Sequence, residues 1–218
     1  MNHHDELDNE MVAEAYHSFV LHKNAKVESF GSIIAAGKNA ATLHYEDNNM
    51  PIEKDSLLLM DVGCFTNNYS SDITRTIPVS GKFTTRQKEV YEVVLDCNKK
   101  CIEYAKAGMS WLELNNYAKK LLAEGCKKLG LIKEDQELNK YYFHSIGHSL
   151  GLDVHDPNIA SKGLLEGMVI TIEPGLYIPE ENIGIRIEDN IVITCDKAIN
   201  LSKDIIKEVE DIEKYMNK

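Results

Sequence analysis

Four acidic residues and one histidine, Asp61, Asp72, Glu173, Glu188 and His148, each stand where an apolar run gives out or a glycine loop begins. Hard carboxylate oxygens joined by a single imidazole nitrogen suit manganese, cobalt, iron or zinc better than an ion that seeks thiolates, and two divalent ions would neutralise four acids. Such a pair, about 3.5–4 Å apart, activates a water and polarises a carbonyl, so hydrolysis needs no covalent enzyme intermediate. No catalytic serine is required. The remaining groups, His44, His144, His155 and Arg186, would then contact substrate, move protons, stabilise an oxyanion or orient a ligand.

The acids need elements that bring them together. The stretch from Leu57 to Arg75 reads as a β-hairpin, because the apolar run reaches Asn67-Asn68, a pair that tolerates the positive φ of a two-residue primed turn. With Asn67 and Asn68 as the loop, Thr66 faces Tyr69, Gly63 faces Asp72 and Asp61 faces Thr74, so Asp61, Gly63, Asp72 and Thr74 share one face. The two aspartates are then diagonal neighbours with Cβ atoms roughly 7–8 Å apart, and Gly63 is expected to leave the space between them clear. Asp61 ends Leu57-Leu58-Leu59-Met60, where an unpaired charge is costly, so a cation is its economical partner.

From Tyr141 to Pro157 the chain carries His144, His148 and His155 interleaved with Gly147 and Gly151. These glycines prevent a stable helix and describe a loop where imidazoles meet a site. Next, the alternation of Met168 to Gly175 puts Val169, Thr171 and Glu173 on one face of a strand. A further strand, Gly184 to Ile193, puts Arg186 and Glu188 on one face and Ile185 and Ile187 on the other. By itself His44, in Leu43-His44-Tyr45, reads as a structural histidine.

Helices supply the rest. Glu10 to about Lys23 carries Met11, Val12, Ala15, Phe19 and Val20 at helical spacing and is expected to form a short amphipathic helix with His17 and His22 solvated. Thr84 with Gln87, and Ser110 with Glu113, have capping-box spacing and open two longer helices, the second ending at Gly130. Cys97 and Cys101 lie one helical turn apart without evident metal-binding partners. A terminal helix is expected from Asp204 to Met216.

The totals describe an ordinary globular chain. It has 218 residues, 43% hydrophobic and 27% charged, enough for one substantial core, and no repeat or linker divides it. With 24 basic against 35 acidic residues the formal charge is −11, which disfavours nucleic acid and anionic membranes as partners. Five cysteines without a C-x-x-C pair indicate neither a disulfide framework nor a structural zinc site, and fit a reducing cytoplasm. The polar, acidic start Met1 to Glu6 is unlike a signal peptide, and no apolar run is long enough for a membrane span.

Taken in order, Asp61 and Asp72, Gly147-His148-x-x-Gly151-x-x-x-His155, Ile172-Glu173-Pro174-Gly175 and Arg186-Ile187-Glu188-Asp189 resemble the pita-bread metallopeptidases, specifically the Xaa-Pro aminopeptidase and prolidase branch. The match runs from about Phe30 to Met216. It implies an α+β pita-bread fold, an antiparallel-rich mixed sheet with helices on its outer face, as one catalytic domain over residues 1–218. It also implies that Asp61, Asp72, His148, Glu173 and Glu188 bind two divalent ions, usually Mn2+, with Co2+, Zn2+ and Fe2+ as alternatives, and that Asp72 and Glu188 bridge them. Glu173 would relay the proton of the attacking water, His44, His144 and His155 would line the proline side, and Arg186 would support the ligand network.

The implied substrates are peptides with proline in second position. Methionine aminopeptidases share the ligand set, but Pro174-Gly175-Leu176-Tyr177 after Glu173, and Arg186 and Asp189 around Glu188, resemble the proline-specific branch. Prolidase activity and a metal-free binding module are the other readings. Relatives of this branch carry an N-terminal domain and a further helix ahead of Glu10, neither of which is found in this sequence. A catalytic fragment with a bare apolar sheet surface, prone to self-association or instability, is therefore expected.

Overall fold

The computed structural model describes residues 9–24, 27–158 and 160–217; the start from Met1 to Glu6 lies outside them. In chain order the elements are α1 (Glu10–Lys23), β1 (Val27–Glu28), β2 (Ile33–Ala36), β3 (Leu57–Val62), β4 (Cys64–Thr66), β5 (Tyr69–Ser70), β6 (Ile73–Pro78), α2 (Thr85–Tyr104), α3 (Trp111–Lys128), β7 (Val169–Ile172), β8 (Gly175–Ile178), β9 (Ile183–Arg186), β10 (Asp189–Ile193), β11 (Ala198–Asn200) and α4 (Val209–Met216). Strands pair in the orders β2-β3-β6, β1-β4-β5, β11-β10-β7 and β8-β9, and every described ladder is antiparallel. None of the described helices is long and apolar enough to cross a membrane.

The hairpin register is the one its loop dictates. Asn67 and Asn68 adopt φ of 52° and 69°, both left-handed as a type I′ turn requires. Asp61 consequently pairs with Thr74 and Thr66 with Tyr69. Gly63 has a different purpose from the one its position suggests. A Cβ there would lie 2.1 Å from the Ser71 carbonyl oxygen and 2.4 Å from the Ser29 hydroxyl, so the bare Cα permits backbone contact and does not clear the space between the acids.

The main core lies between the sheets and the helices α2 and α3. Val90, Tyr91, Val94, Leu95 and Cys101 from α2 meet Leu114, Ala118 and Leu122 from α3 and the isoleucines of β7, β9 and β10. Both N-caps form as their spacing predicts, but only Thr84 and Gln87 complete a reciprocal box. At α3, Ser110 caps the Glu113 amide, while the Glu113 carboxylate accepts from the Tyr104 hydroxyl instead of reaching back. Gly130 ends the helix at φ 71°.

Two terminal expectations are corrected. On α1 the stripe residues Met11, Val12, Ala15 and Phe19 face outward, with Phe19 63% exposed, Val20 borders the cleft towards the sheet, and the buried residues are Glu10 and Ala13. The Glu10 carboxylate sets this orientation, because it accepts from the Ala36 and Met50 amides, the Asn39 amide group and the Tyr45 hydroxyl. His17 also leaves solvent to meet the Ser32 hydroxyl. At the other end, helix α4 starts only at Val209, because the carbonyls of Ile205 and Ile206 are drawn to Arg75.

Between α1 and the β2-β3-β6 sheet runs an apolar cleft of about 380 Å³, bounded by Tyr16, Val20, Ile34, Met60, Val62 and Ile73. The orientation of α1 makes a clear contrast testable by thermal melts. Glu10→Ala should cost about 3 kcal/mol or more, because several buried donors lose a charged acceptor. Phe19→Glu should stay within about 0.5 kcal/mol of the parent. A large loss from the Phe19 change would mean that the stripe packs inward after all.

Candidate metal centre

Each acid is presented by a strand end. Asp61 comes from β3 and Asp72 from the link before β6, where the Asn190 side chain both accepts from the Asp72 amide and donates to its carbonyl. Glu173 follows β7 and Glu188 follows β9. Period-two alternation works as the sequence indicates: Thr171 donates to Glu173 at 3.1 Å, and Arg186 and Glu188 both reach the Thr74 hydroxyl, at 3.0 and 2.6 Å.

The histidine loop is held along β7. The Thr171 and Leu150 amides donate to the carbonyls of His148 and Val169, and the Glu173 amide donates to Ile146. Gly147 makes this approach feasible, since a Cβ there would meet the Thr171 carbonyl oxygen at 2.0 Å. His148 Nδ1 lies 3.1 Å from the Ser149 carbonyl, which can only accept, so Nδ1 carries a proton there. Its Nε2 faces Asp72 and Glu173, 3.4 Å from each.

Ligand-type atoms of Asp72, His148 and Glu188 all lie within 4.8 Å of one another. Around them Asp61 Oδ1, Asp72 Oδ1 and Glu188 Oε1 are buried without a hydrogen-bond partner. Buried carboxylate oxygens ordinarily find donors, so three orphans in one place fit a cation. The electrostatics agree. Burial pushes the Asp72 carboxyl up to about 6, with the Asp61 charge adding to the rise against His148. Glu173 is pushed up to about 7, again by burial first and against the pull of His148 and Arg186. Glu188 stands well above the usual carboxylate range because burial and the charges of Asp72, Glu173 and Asp61 all disfavour its anion. For His148, burial acts downward, but its contact with Asp72 and the charge of Glu173 outweigh it and raise the value.

Arg186, fully buried, organises one side. It donates to Asp61 Oδ2 at 2.8 Å and to the Tyr177 hydroxyl at 3.0 Å. His144 donates from Nδ1 to the Ser145 carbonyl, so its Nε2 accepts from Tyr177 at 2.9 Å. Burial depresses its pKa to about 4, which keeps the ring neutral. His155 stacks edge-on to His148 with centroids 4.2 Å apart and is likewise shifted down. His44 is exposed, and its charge bears on both His144 and His155, at the same mouth.

The structure brings Asp72, His148 and Glu188 into one cluster, with Glu173 3.4 Å from His148 and Asp61 held by Arg186, while His44 stays exposed. It adds Tyr177 and Asn190, and gives Thr74 and Thr171, already on the faces of the acids, defined hydrogen-bond partners. Tyr177 was legible in principle, because counting by twos from Glu173 through Gly175 reaches it on the same face.

Residues 3–195 match metallopeptidase family M24. The chain belongs to that family. It is 41% identical to the Xaa-Pro aminopeptidase of Haemophilus influenzae over 95% of this chain and 53% of that protein. Among solved structures, a Bacillus anthracis protein assigned by inference as an aminopeptidase P is 51% identical with a TM-score of 0.94, covering 97% of this chain and 51% of that one. A zinc-substituted Escherichia coli aminopeptidase P in complex with product is 36% identical with a TM-score of 0.88, over 96% of this chain and 52% of that one. This M24 chain therefore has the pita-bread fold and spans about half the length of the relatives it matches.

Proposed function

We propose that this chain is the catalytic unit of a metal-dependent aminopeptidase that cleaves between an N-terminal residue and a following proline. The observation that carries the reading is that Asp72, His148 and Glu188 offer ligand atoms within 4.8 Å of one another, while buried oxygens of Asp61, Asp72 and Glu188 have no hydrogen-bond partner. In this reading Asp61, Asp72, His148, Glu173 and Glu188 hold two divalent ions. When bound, the ions polarise the scissile carbonyl and lower the pKa of water. An oxygen-rich set with one nitrogen favours Mn2+, and the zinc-substituted E. coli neighbour supports Zn2+ as an alternative.

The chain's own groups do the remaining work. Glu173, at the end of β7 and fixed by the Thr171 hydroxyl, is placed to take a proton from the attacking water and pass it to the leaving amine. His144 is neutral and fixed by Tyr177, so it offers a polar edge to substrate without repelling the cations. His155 and His44 extend that edge towards solvent. Arg186 holds one oxygen of Asp61 and leaves the other free to ligate. The proline preference is supported by the name of the Haemophilus relative and by the matching Pro174-Gly175-Leu176-Tyr177 segment. A cytoplasmic setting and self-association through the outward face of α1 complete the proposal.

A peptide panel tests it. With Mn2+ added, Ala-Pro-x peptides should be cut after alanine, Met-Ala-x peptides should be cut far more slowly, and the dipeptide Ala-Pro should not be the preferred substrate. Faster cleavage of Met-Ala-x would assign methionine aminopeptidase activity. Cleavage confined to the dipeptide would assign prolidase activity. No metal uptake and no cleavage of any peptide would leave a binding module.

A further inference from the structure

Helix α2 is an outer element, and its residue Asn98 touches none of the proposed ligands, yet it is fully buried. Its single amide nitrogen donates to two carbonyls, Ile172 at 3.1 Å and Ile187 at 3.2 Å. Each of these carbonyls belongs to the peptide unit that enters a metal-site glutamate, Glu173 in one case and Glu188 in the other. The same two peptide units are fixed at their other ends as well. The Glu173 amide donates to Ile146 and the Glu188 amide donates to Thr74.

The orientation of the Asn98 amide is settled by chemistry. Lys207 can only donate, and its Nζ lies 2.7 Å from Asn98 Oδ1, so the NH2 group must face the two carbonyls. Lys207 is itself fixed by the buried carboxylate of Asp189, whose other oxygen accepts from Arg75 at 2.8 Å. Arg75 in turn donates to the carbonyls of Thr74 and Glu188. A continuous polar path therefore ties the outer helix to the backbone on both sides of Glu188.

We propose that Asn98 is a positioning residue: by holding the carbonyls of Ile172 and Ile187 on one amide group, it sets the spacing of Glu173 and Glu188 and so the affinity of the centre for its metal. This inference rests on the metal-site reading given above. Groups that orient ligands from outside the coordination sphere commonly contribute about 10–100-fold in metal affinity. Asn98 does so through backbone instead of through a ligand side chain.

The test is a Mn2+ titration of the full chain, following the free-ion signal by electron paramagnetic resonance well below each variant's Tm, with kcat and KM for an Ala-Pro-x peptide and the metal-free Tm measured alongside. Asn98→Ala should weaken Mn2+ binding about 10–100-fold and lower kcat, with a smaller change in KM. Lys207→Met keeps the amide but frees its orientation, and should weaken binding in the same direction by about threefold to tenfold. Should Asn98→Ala fail to fold, Lys207→Met decides. Variants whose Tm falls while Mn2+ affinity stays within about twofold of the parent would reduce Asn98 to a structural residue and overturn the inference alone. A parent chain that takes up no Mn2+ would instead overturn the metal reading, and the inference with it.

Discussion

Glu188→Gln should make the metal-free chain more stable while removing its response to metal and its activity. Glu188 is buried, accepts one hydrogen bond from Thr74 and has its second oxygen unpartnered, with the charges of Asp72, Glu173 and Asp61 all opposing its anion. An amide keeps the Thr74 bond and removes the repulsion. Relief of strain at a functional site is commonly worth about 0.5–2 kcal/mol, or a Tm increase of roughly 1–8 °C for a chain of this size. Loss of a ligand should lower kcat/KM by on the order of 10³-fold, since the ions supply several kcal/mol of charge stabilisation.

The pH dependence of the parent follows from the same groups. A carboxyl whose folded pKa is raised contributes stability that is complete below its unfolded value and is lost as pH rises through the folded one. Asp72 is pushed from the ordinary range to about 6, and Glu173 to about 7. His144, depressed to about 4, acts the other way over the same range, but the two carboxyls together outweigh it, so the metal-free parent should show a net loss of stability between about pH 4 and pH 7, and Mn2+ should restore it increasingly above pH 6 as protons leave the ligands. Differential scanning fluorimetry from pH 4 to 9, with chelator or with Mn2+, reads all of this. A metal-free Tm that rises steadily across that range, or a Glu188→Gln chain less stable than the parent at pH 8, would contradict the crowded-acid account.

Why so much of the centre was visible in the sequence is a matter of short-range geometry. Asn67-Asn68 fixes a loop length, the loop fixes a register, and the register puts Asp61 opposite Thr74 without any knowledge of the fold. Alternation in β7 and β9 similarly fixes the faces of Glu173 and Glu188. What stayed hidden depends on contacts remote in the chain. The stripe on α1 has the spacing of a buried face, but the Glu10 carboxylate finds hydrogen-bond donors around β2 that turn most of that stripe outward. Ile205 and Ile206 have helical spacing, yet Arg75 claims their carbonyls from 130 and 131 residues away. Asn98 looks like one more polar position on a long helix, since nothing near it in sequence names Ile172 or Ile187 as partners.

Arg186→Met should destabilise the metal-free chain by about 3–5 kcal/mol, which lowers Tm by roughly 6–20 °C, because among the described residues the guanidinium is the one cation paired with Asp61. Asp61 already has one unpartnered oxygen, so losing Arg186 strands the whole carboxylate in a buried place. Tyr177 loses the donor that holds its hydroxyl against His144, and Thr74 loses a partner while still donating to Glu188. Lysine should not rescue the site, since one ammonium cannot match three acceptors spread around a planar fork. The double variant Asp61→Asn with Arg186→Met removes both charges, and should be more stable than the sum of the single losses allows by at least about 1.5 kcal/mol. Bound Mn2+ should also recover part of the loss in Arg186→Met but none in the double variant, because a cation replaces the guanidinium only while the Asp61 carboxylate remains. Melting curves of the four chains with and without Mn2+ close the cycle. Additive losses, or an Arg186→Met chain within about 1 kcal/mol of the parent, would mean that Asp61 is solvated and that the arginine does not hold it in place.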